Sequence, residues 1–94
     1  MIKRNTPKYK EYREYLIKKF NENFQKRDQK TYRGFDGETF RLDYISEFNS
    51  FVLEFAINEK DYRNNCFEDG ELYSITDYSP EQIYIKMMEE IKTQ

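Results

Sequence analysis

The 94-residue sequence has no histidine and no tryptophan, and only one cysteine, two prolines and three glycines. The missing histidine removes the side chain that most often serves as a general base or a metal ligand. A lone Cys66 allows neither an internal disulfide nor a cysteine metal cluster. Uninterrupted apolar runs reach only three residues, too few to span a membrane. We therefore expect a soluble, cytoplasmic protein with no metal or other cofactor.

A catalytic function would have few residues to work with. Cys66 has no histidine partner, and we expect it to be an inert thiol that is at least half-buried. The glycines are isolated, so no glycine-rich loop is present to hold a phosphate group. Carboxylates alone can support acid–base or metal-assisted hydrolysis, but their spacing matches no calcium loop. The sequence predicts no catalytic residue, and we expect the protein not to be an enzyme.

Aromatic residues are abundant, with eight phenylalanines and nine tyrosines. Each aromatic side chain buries about 150–250 Å², so these residues can build a core although only 37% of the chain is apolar. A chain of this length has room for one core. The prediction is a single domain over residues 1–94.

The N-terminal third predicts a long amphipathic helix from about residue 7 to residue 27. Thr6 and Pro7 match an N-cap followed by proline at the first helical position. Apolar residues then recur at spacings of three and four, which is the helical period. They are Tyr9, Tyr12, Leu16, Phe20 and Phe24.

The pattern then changes to a period of two, which indicates strands. Asp36-Gly37 is a strong hairpin signal between strands at 32–35 and 39–45. Asn49-Ser50 predicts the next turn, and residues 51–57 predict the most buried strand. Its inward face carries Phe51, Leu53, Phe55 and Ile57.

The C-terminal part predicts a loop, a second hairpin and a helix. Residues 58–65 show no period and are expected to form the only substantial loop. Asp69-Gly70 predicts a hairpin between short strands at 66–68 and 71–75. Ser79-Pro80-Glu81-Gln82 matches a capping box, and it predicts a helix that runs to about Lys92.

The expected fold class is α+β. Four to five short strands joined by tight turns form an antiparallel meander sheet. The long N-terminal helix and the shorter C-terminal helix pack on one face of it. We expect the opposite face to be polar and acidic.

Charge is divided between the two ends of the chain. Residues 1–33 contain eleven Lys or Arg against four Asp or Glu, whereas residues 34–94 contain five against fourteen. Clustered charge bears on partners and association rate rather than on fold. The sequence therefore favours a binding function over catalysis.

Acidic residues and tyrosines are interleaved in the C-terminal part, and they predict a protein-binding surface. Carboxylates attract and orient a basic partner, and tyrosines anchor it at low entropic cost. Nucleases often carry basic surfaces because their substrate is a polyanion. The predicted partner-binding residues are Glu59, Asp61, Glu68, Asp69, Glu71, Tyr73, Asp77 and Tyr78.

In its size, its composition, its α+β order and the acidic, tyrosine-rich stretch from Phe67 to Tyr84, the chain resembles the small immunity proteins of bacterial toxin–immunity systems. These include the immunity proteins of contact-dependent inhibition systems. The resemblance implies a cognate intracellular toxin, often a nuclease, as the partner. It also implies neutralisation by tight binding that blocks or displaces the toxin's active site.

Two other binding functions remain open. A phage-encoded inhibitor of a host defence nuclease would have the same size and the same charge. A small nucleic-acid-binding protein would instead use the basic N-terminal helix, with Lys18, Lys19, Lys26 and Arg27 on the phosphates. Ordinary solvated surface also explains such charges without any partner.

Overall fold

The chain forms an antiparallel sheet with its two longer helices on one face. The computed structural model describes residues 7–93, and its elements are α1 (Pro7–Asn23), β1 (Lys26–Asp28), β2 (Thr31–Arg33), β3 (Thr39–Ile45), β4 (Ser50–Ala56), α2 (Glu59–Arg63), β5 (Glu68–Ser74) and α3 (Pro80–Lys92). The strands follow the order β1-β2-β3-β4-β5, and each pairs antiparallel with the next. The predicted α+β meander is confirmed. None of the described helices is long and apolar enough to cross a membrane.

Helix α1 contributes a buried stripe, but it is shorter than predicted. Leu16 and Phe20 are fully buried and Tyr12 is nearly so, as the helical period requires. The helix ends at Asn23 rather than near residue 27, because Lys26–Asp28 pairs with β2 instead of continuing the helix. The predicted N-cap, Thr6, lies outside the described residues.

The core lies between the helices and the inward face of β3 and β4. The register of these strands places Phe40 opposite Phe55, Leu42 opposite Leu53, and Tyr44 opposite Phe51. All six side chains are buried. Helix α3 covers the same face with Ile83, Met87 and Ile91, which are spaced by four residues and buried. Ile57 was expected to share this face, but β4 ends at Ala56 and Ile57 is 62% exposed.

The turn at Asp36-Gly37 is present, but it is longer than a two-residue hairpin. Strand β2 covers Thr31–Arg33, so Phe35 lies in the turn and is exposed. The backbone nitrogen of Gly34 donates to the carbonyl of Glu38 at 2.8 Å, which closes the loop. Gly37 has φ of 87°, a conformation that glycine adopts at no steric cost.

Residues 58–65 were predicted to be a loop, and this prediction is wrong for most of the segment. The short helix α2 occupies Glu59–Arg63, and the side chain of Asn58 caps it by accepting from the backbone nitrogen of Asp61 at 2.8 Å. A helix of one turn is too short to show a period, so only the cap residue could have indicated it.

The predicted hairpin at Asp69-Gly70 is also wrong. Strand β5 runs through both residues, and its two halves pair with β4 rather than with each other. Asp69 lies opposite Glu54, and Leu72 lies opposite Val52, with a shift of register between the two pairs. Such a shift marks a β-bulge, where glycine is common for reasons unrelated to a turn.

Helix α3 begins and ends as the sequence predicts. The Ser79 hydroxyl accepts from the backbone nitrogen of Gln82 at 3.2 Å, and the Gln82 side chain accepts from the backbone nitrogen of Ser79 at 2.9 Å. This reciprocal capping box fixes the start, and the helix ends at Lys92.

The sheet face opposite the two long helices is not predominantly acidic, so this expectation is wrong. Arg41 alternates with the buried residues of β3, and it binds Glu54 on the neighbouring strand at 2.7 Å. Thr39, on the same face, accepts a hydrogen bond from Arg27 at 2.8 Å. Arginine side chains thus balance the carboxylates on this face.

Candidate functional site

Strand β5 is an outer strand of the sheet, and acidic side chains surround it. Between residues 68 and 93 the sequence has seven Asp or Glu against two Lys. Six of these acids are exposed, and together they define the acidic edge: Glu68, Asp69, Glu71, Asp77, Glu81 and Glu89. The sheet order thus places the acids at the edge opposite the basic strand β1.

The ion pairs within residues 7–93 leave the acidic edge out. The acids that form them are Glu22, Asp43, Glu54 and Glu59, all of which precede β5 in the chain. No residue of the acidic edge is bound to a described Lys or Arg. Within the described part of the chain, its negative charge is therefore exposed to solvent without a bound cationic side chain.

A shallow groove runs between β5 and α3, next to the acidic edge. Its volume is about 590 Å³. From the strand side and the turn after it come Glu71, Leu72, Tyr73 and Tyr78, and from the helix side come Lys86, Glu89, Glu90 and Thr93. The groove combines carboxylates, an apolar side chain and tyrosine rings, which is the mixture that protein-binding surfaces use.

Glu90 fixes one wall of this groove. Its carboxylate accepts from the backbone nitrogen of Glu71 at 3.0 Å and from the hydroxyl of Tyr73 at 2.9 Å. A Cβ atom on Gly70 would overlap this carboxylate and lie 3.1 Å from the carbonyl of Leu53. The glycine therefore gives Glu90 the space to reach the bulge in β5, and its φ is not in the left-handed region.

The two predicted tyrosines differ in exposure. Tyr73 is only 7% exposed; its burial and then its hydrogen bond to Glu90 raise the pKa of its phenol well above the ordinary range. It cannot provide the exposed anchor that the sequence suggested. Tyr78 is half-buried, and its ring lies 5.3 Å from the ammonium of Lys86. Part of its ring faces the groove, so Tyr78 keeps this role.

Glu59 and Asp61 do not join the acidic edge. Both lie on α2, and Glu59 accepts two hydrogen bonds from the guanidinium of Arg27, at 2.9 and 2.7 Å. These bonds lower the pKa of Glu59 to about 2, from an ordinary 4.5. The Arg27 guanidinium also lies 3.8 Å from the ring centre of Tyr62. Glu59 therefore binds Arg27 within the fold and is not part of the exposed acidic surface.

The remaining predicted residues lie where a partner could reach them. Glu68, Asp69 and Glu71 are exposed along β5, and Asp77 is exposed in the connection to α3. The fold therefore brings together six of the eight predicted residues, two of them tyrosines, and separates Glu59 and Asp61 from them.

Sequence reasoning missed the helical wall of the groove. Glu89, Glu90 and Lys86 come from α3, far along the chain from β5. A helical projection of α3 places positions 86, 89, 90 and 93 together at spacings of three and four. The sequence could therefore show that these residues share one face of α3. It could not show that this face lies beside β5, because that depends on how α3 packs.

The basic residues proposed for nucleic-acid binding do not all lie on one helix. Lys18 and Lys19 lie on α1, whereas Lys26 and Arg27 belong to β1. Lys19 lies 4.0 Å from Glu22, and Arg27 is bound to Glu59. Because α1 ends early, the basic helix of the sequence prediction loses its last two cations.

Cys66 is exposed, in contrast to the half-buried thiol that we expected. It lies in the connection between α2 and β5, where its backbone nitrogen donates to the carbonyl of Asp61 at 2.8 Å. The backbone is held while the thiol faces outward. Within residues 7–93, no group of three or more Cys, Asp or Glu residues converges in a way that could hold a metal ion.

Comparison with known proteins gives no relative. The chain matches no protein-family model, no curated protein and no solved structure.

Proposed function

We propose that the protein is a non-enzymatic binding protein that uses the acidic edge and the β5–α3 groove to bind a basic protein. The single observation that carries this proposal is the uneven use of carboxylates. Four acids elsewhere in the described chain, Glu22, Asp43, Glu54 and Glu59, form ion pairs, whereas all six acids of the acidic edge form none with residues 7–93. Unpaired exposed charge of one sign attracts and orients a partner of the opposite sign.

The groove supplies the second element of such an interface. Charge alone gives fast but weak association, and affinity comes from side chains that become buried on contact. Leu72 is 43% exposed, and Tyr78 presents part of its ring beside it in the groove. A basic partner whose apolar side chain enters this groove would thus gain both attraction and burial.

The partner class follows from the resemblance to immunity proteins. We propose that the partner is a cognate toxin, a nuclease whose basic surface normally holds a nucleic acid. The acidic edge would occupy the path of the phosphates and exclude the substrate. A phage-encoded inhibitor of a host defence nuclease would use the same surface in the same way, and the gene's neighbours separate these two functions.

The first experiment identifies the partner and checks its activity. The tagged chain is used to capture proteins from its native host, and each captured protein is expressed in cells with and without the chain. We expect a basic nuclease that is toxic alone and harmless with the chain. A partner that is acidic, or whose toxicity the chain does not suppress, contradicts the proposal.

The second experiment tests the surface. Reversal of Glu68, Asp69, Glu71 and Asp77 to Lys is expected to slow association with that nuclease by about 10- to 1,000-fold at low salt. The control reverses four exposed acids elsewhere, Glu11, Glu14, Asp36 and Glu47, and changes the net charge by the same amount.

The two variants are compared by surface plasmon resonance at low and at high salt. We expect the difference between them to shrink at high salt, where charges are screened beyond about 3 Å at 1 M. An equal loss in both variants would show that only net charge matters. Unchanged rates in the first variant would remove the acidic edge from the interface.

A further inference from the structure

A second concave site lies towards the β1 edge of the sheet, whereas the acidic edge lies at β5. It opens between α1 and the strands β1 to β3, and its volume is about 310 Å³. This is near the lower end of the range of small-molecule pockets, about 300–1,000 Å³. We call it the basic cleft, and it is lined by Tyr9, Arg13, Ile17, Lys26, Gln29, Lys30, Tyr32, Leu42, Asp43, Tyr44 and Phe51.

The floor of the basic cleft is aromatic and rigid. The ring centres of Tyr9 and Tyr44 are 4.5 Å apart, and those of Tyr44 and Phe51 are 4.9 Å apart. Tyr32 is buried, and its hydroxyl donates to the side chain of Asn21 at 2.9 Å. Tyr9 and Tyr44 are inclined by 58°, as are Tyr44 and Phe51. Among these rings only Tyr9 is partly exposed, so it is the ring that a ligand entering the cleft can contact.

The rim of the basic cleft is positively charged. Three cationic side chains, Arg13, Lys26 and Lys30, line it against one carboxylate, Asp43. Lys30 lies 3.8 Å from Asp43, which neutralises that pair. Arg13 and Lys26 are exposed and form no ion pair with any residue from 7 to 93. Two unpaired cations therefore flank an aromatic floor.

Arg13 lies close enough to the floor to affect it. Its positive charge partly offsets the effect of burial, which on its own raises the pKa of the Tyr32 phenol. A cation in this position can hold an anionic group while the rings hold the rest of the ligand. Solvated lysines on a convex surface lack this convergence.

We propose that the basic cleft binds a planar aromatic anion of mononucleotide size. The ring of the ligand packs against the exposed part of Tyr9, which the buried rings of Tyr44 and Phe51 support from below, and its phosphate lies between Arg13 and Lys26. This site is separate from the acidic edge and does not depend on the proposed partner. The same chemistry is presented by a free nucleotide and by the terminal nucleotide of a single strand.

The probe is adenosine monophosphate, titrated into isotope-labelled protein and followed by amide chemical shifts. We expect shifts at residues of the basic cleft, with weaker binding of adenosine and of inorganic phosphate, because each supplies only half of the contacts. Equal binding of phosphate alone, shifts outside the cleft, or no binding at millimolar concentration would overturn the proposal.

The variant is Arg13→Gln combined with Lys26→Gln. We expect its affinity for adenosine monophosphate to fall at least tenfold. The control, Lys8→Gln with Lys60→Gln, removes two exposed cations elsewhere on the surface and should change the affinity less than twofold. A similar loss in both variants would show attraction by net charge and would overturn the site. Circular dichroism checks that both variants remain folded.

A 5′-phosphorylated tetra-adenylate distinguishes the two sources of the ligand. If it binds more tightly than the mononucleotide and still depends on Arg13 and Lys26, the basic cleft holds the end of a strand. If the two bind equally, the cleft holds a free nucleotide. A tetra-adenylate that binds the Arg13→Gln, Lys26→Gln variant as well as the native protein would overturn the assignment.

Discussion

On the β1–β3 side of the sheet, several charged side chains form ion pairs within the fold, whereas the six exposed acids of the acidic edge form none with residues 7–93. Arg27 binds Glu59, Lys30 lies beside Asp43, and Arg41 binds Glu54. These contacts engage two cations of the first third of the chain, Arg27 and Lys30, whereas Arg13 and Lys26 form no ion pair with residues 7–93. The protein is close to neutral as a whole, yet its unpaired negative charge is dense around β5 and α3, and unpaired positive charge lies at the basic cleft.

The two sides also differ in how the core is built. Near α1, the ring of Phe20 contacts four other aromatic rings, at centre distances of 5.2 to 6.0 Å. Under α3, the buried residues Ile83, Met87 and Ile91 are aliphatic. The side with paired charges is thus an interlocked aromatic cluster, while the side with exposed charges is held by smaller contacts. Each of the following changes tests one part of this contrast.

The largest effect is expected in the aromatic cluster. Phe20→Ala should lower the free energy of unfolding by about 3–5 kcal/mol, because it removes a fully buried ring and leaves a cavity. Met87→Ala, equally buried on α3, should cost less, about 2–3 kcal/mol. Urea unfolding measures both, with the exposed Lys18→Ala as a control expected within about 0.5 kcal/mol. A larger loss of unfolding free energy in Met87→Ala than in Phe20→Ala would contradict the view that the aromatic cluster is the more strongly packed side.

On the acidic side, the strongest local constraint is the space at Gly70. Gly70→Ala should cost about 1–3 kcal/mol, because the new methyl group displaces the Glu90 carboxylate from Glu71 and Tyr73. The same substitution in a Glu90→Ala background should cost clearly less, since the carboxylate is gone and only the Leu53 carbonyl remains close. Equal costs in the two backgrounds would show that Gly70 is needed for the backbone instead.

Gly70 is also a position where the sequence led to a wrong prediction of local structure. An Asp-Gly pair between short apolar runs is a strong hairpin signal, and at Asp36-Gly37 a turn is indeed present. At Asp69-Gly70 the same pair lies inside a strand. The difference is the partner: β4 pairs with both halves of β5, and Glu90 requires the missing side chain. Neither the pairing with β4 nor the contact with Glu90 can be predicted from the residues next to Gly70.

The periodicity of apolar residues and the helix-capping residues, by contrast, correctly predicted the local structures that depend on them. The buried stripe of α1, the inward residues of β3 and the capping box of α3 were all readable, because each depends on neighbours a few residues apart. The acidic residues of β5 could likewise be recognised as surface residues from the sequence. The pairing of Glu59 with Arg27, 32 residues away, and the α3 wall of the groove depend on tertiary packing.

The pairing of Arg27 with Glu59 should make stability depend on acid pH. Glu59 has a lowered pKa, about 2, in the folded state, so its contribution is complete above 4.5 and is lost as pH falls towards 2. Arg27→Gln removes that contribution. We expect the variant to unfold at lower urea than the native protein near pH 6 and the difference to narrow between pH 4.5 and pH 2.

Arg63→Gln is the matched control for this pH dependence. Arg63 approaches the same carboxylate at 3.5 Å, but its side chain is 76% exposed, so the pair is screened by solvent. We expect this variant to follow the native profile. A pH-independent difference between Arg27→Gln and the native protein would mean that Arg27 acts through its stacking on Tyr62 or its hydrogen bond to Thr39 rather than through Glu59.

The smallest effect on stability is expected at the acidic edge itself. Replacing Glu68 and Glu71 with Gln, and Asp69 and Asp77 with Asn, should change the free energy of unfolding by no more than about 0.5 kcal/mol. These acids form no ion pair within residues 7–93, and relief of their mutual repulsion should offset any lost contact. Glu54→Gln keeps an acceptor for Arg41 but removes the charge of the pair, and it should be destabilising by about 1–2 kcal/mol, the difference between a charge-assisted and a neutral hydrogen bond.

The value of this neutral variant lies in the pairing of two measurements. If the four neutralised acids leave unfolding unchanged but slow association with a basic partner, then their charge serves binding and not the fold. If unfolding is destabilised as much as in Glu54→Gln, the acids have structural contacts, and the contrast between the two sides of the sheet fails. Stability and association rate measured on one variant therefore separate a functional surface from an ordinary solvated one.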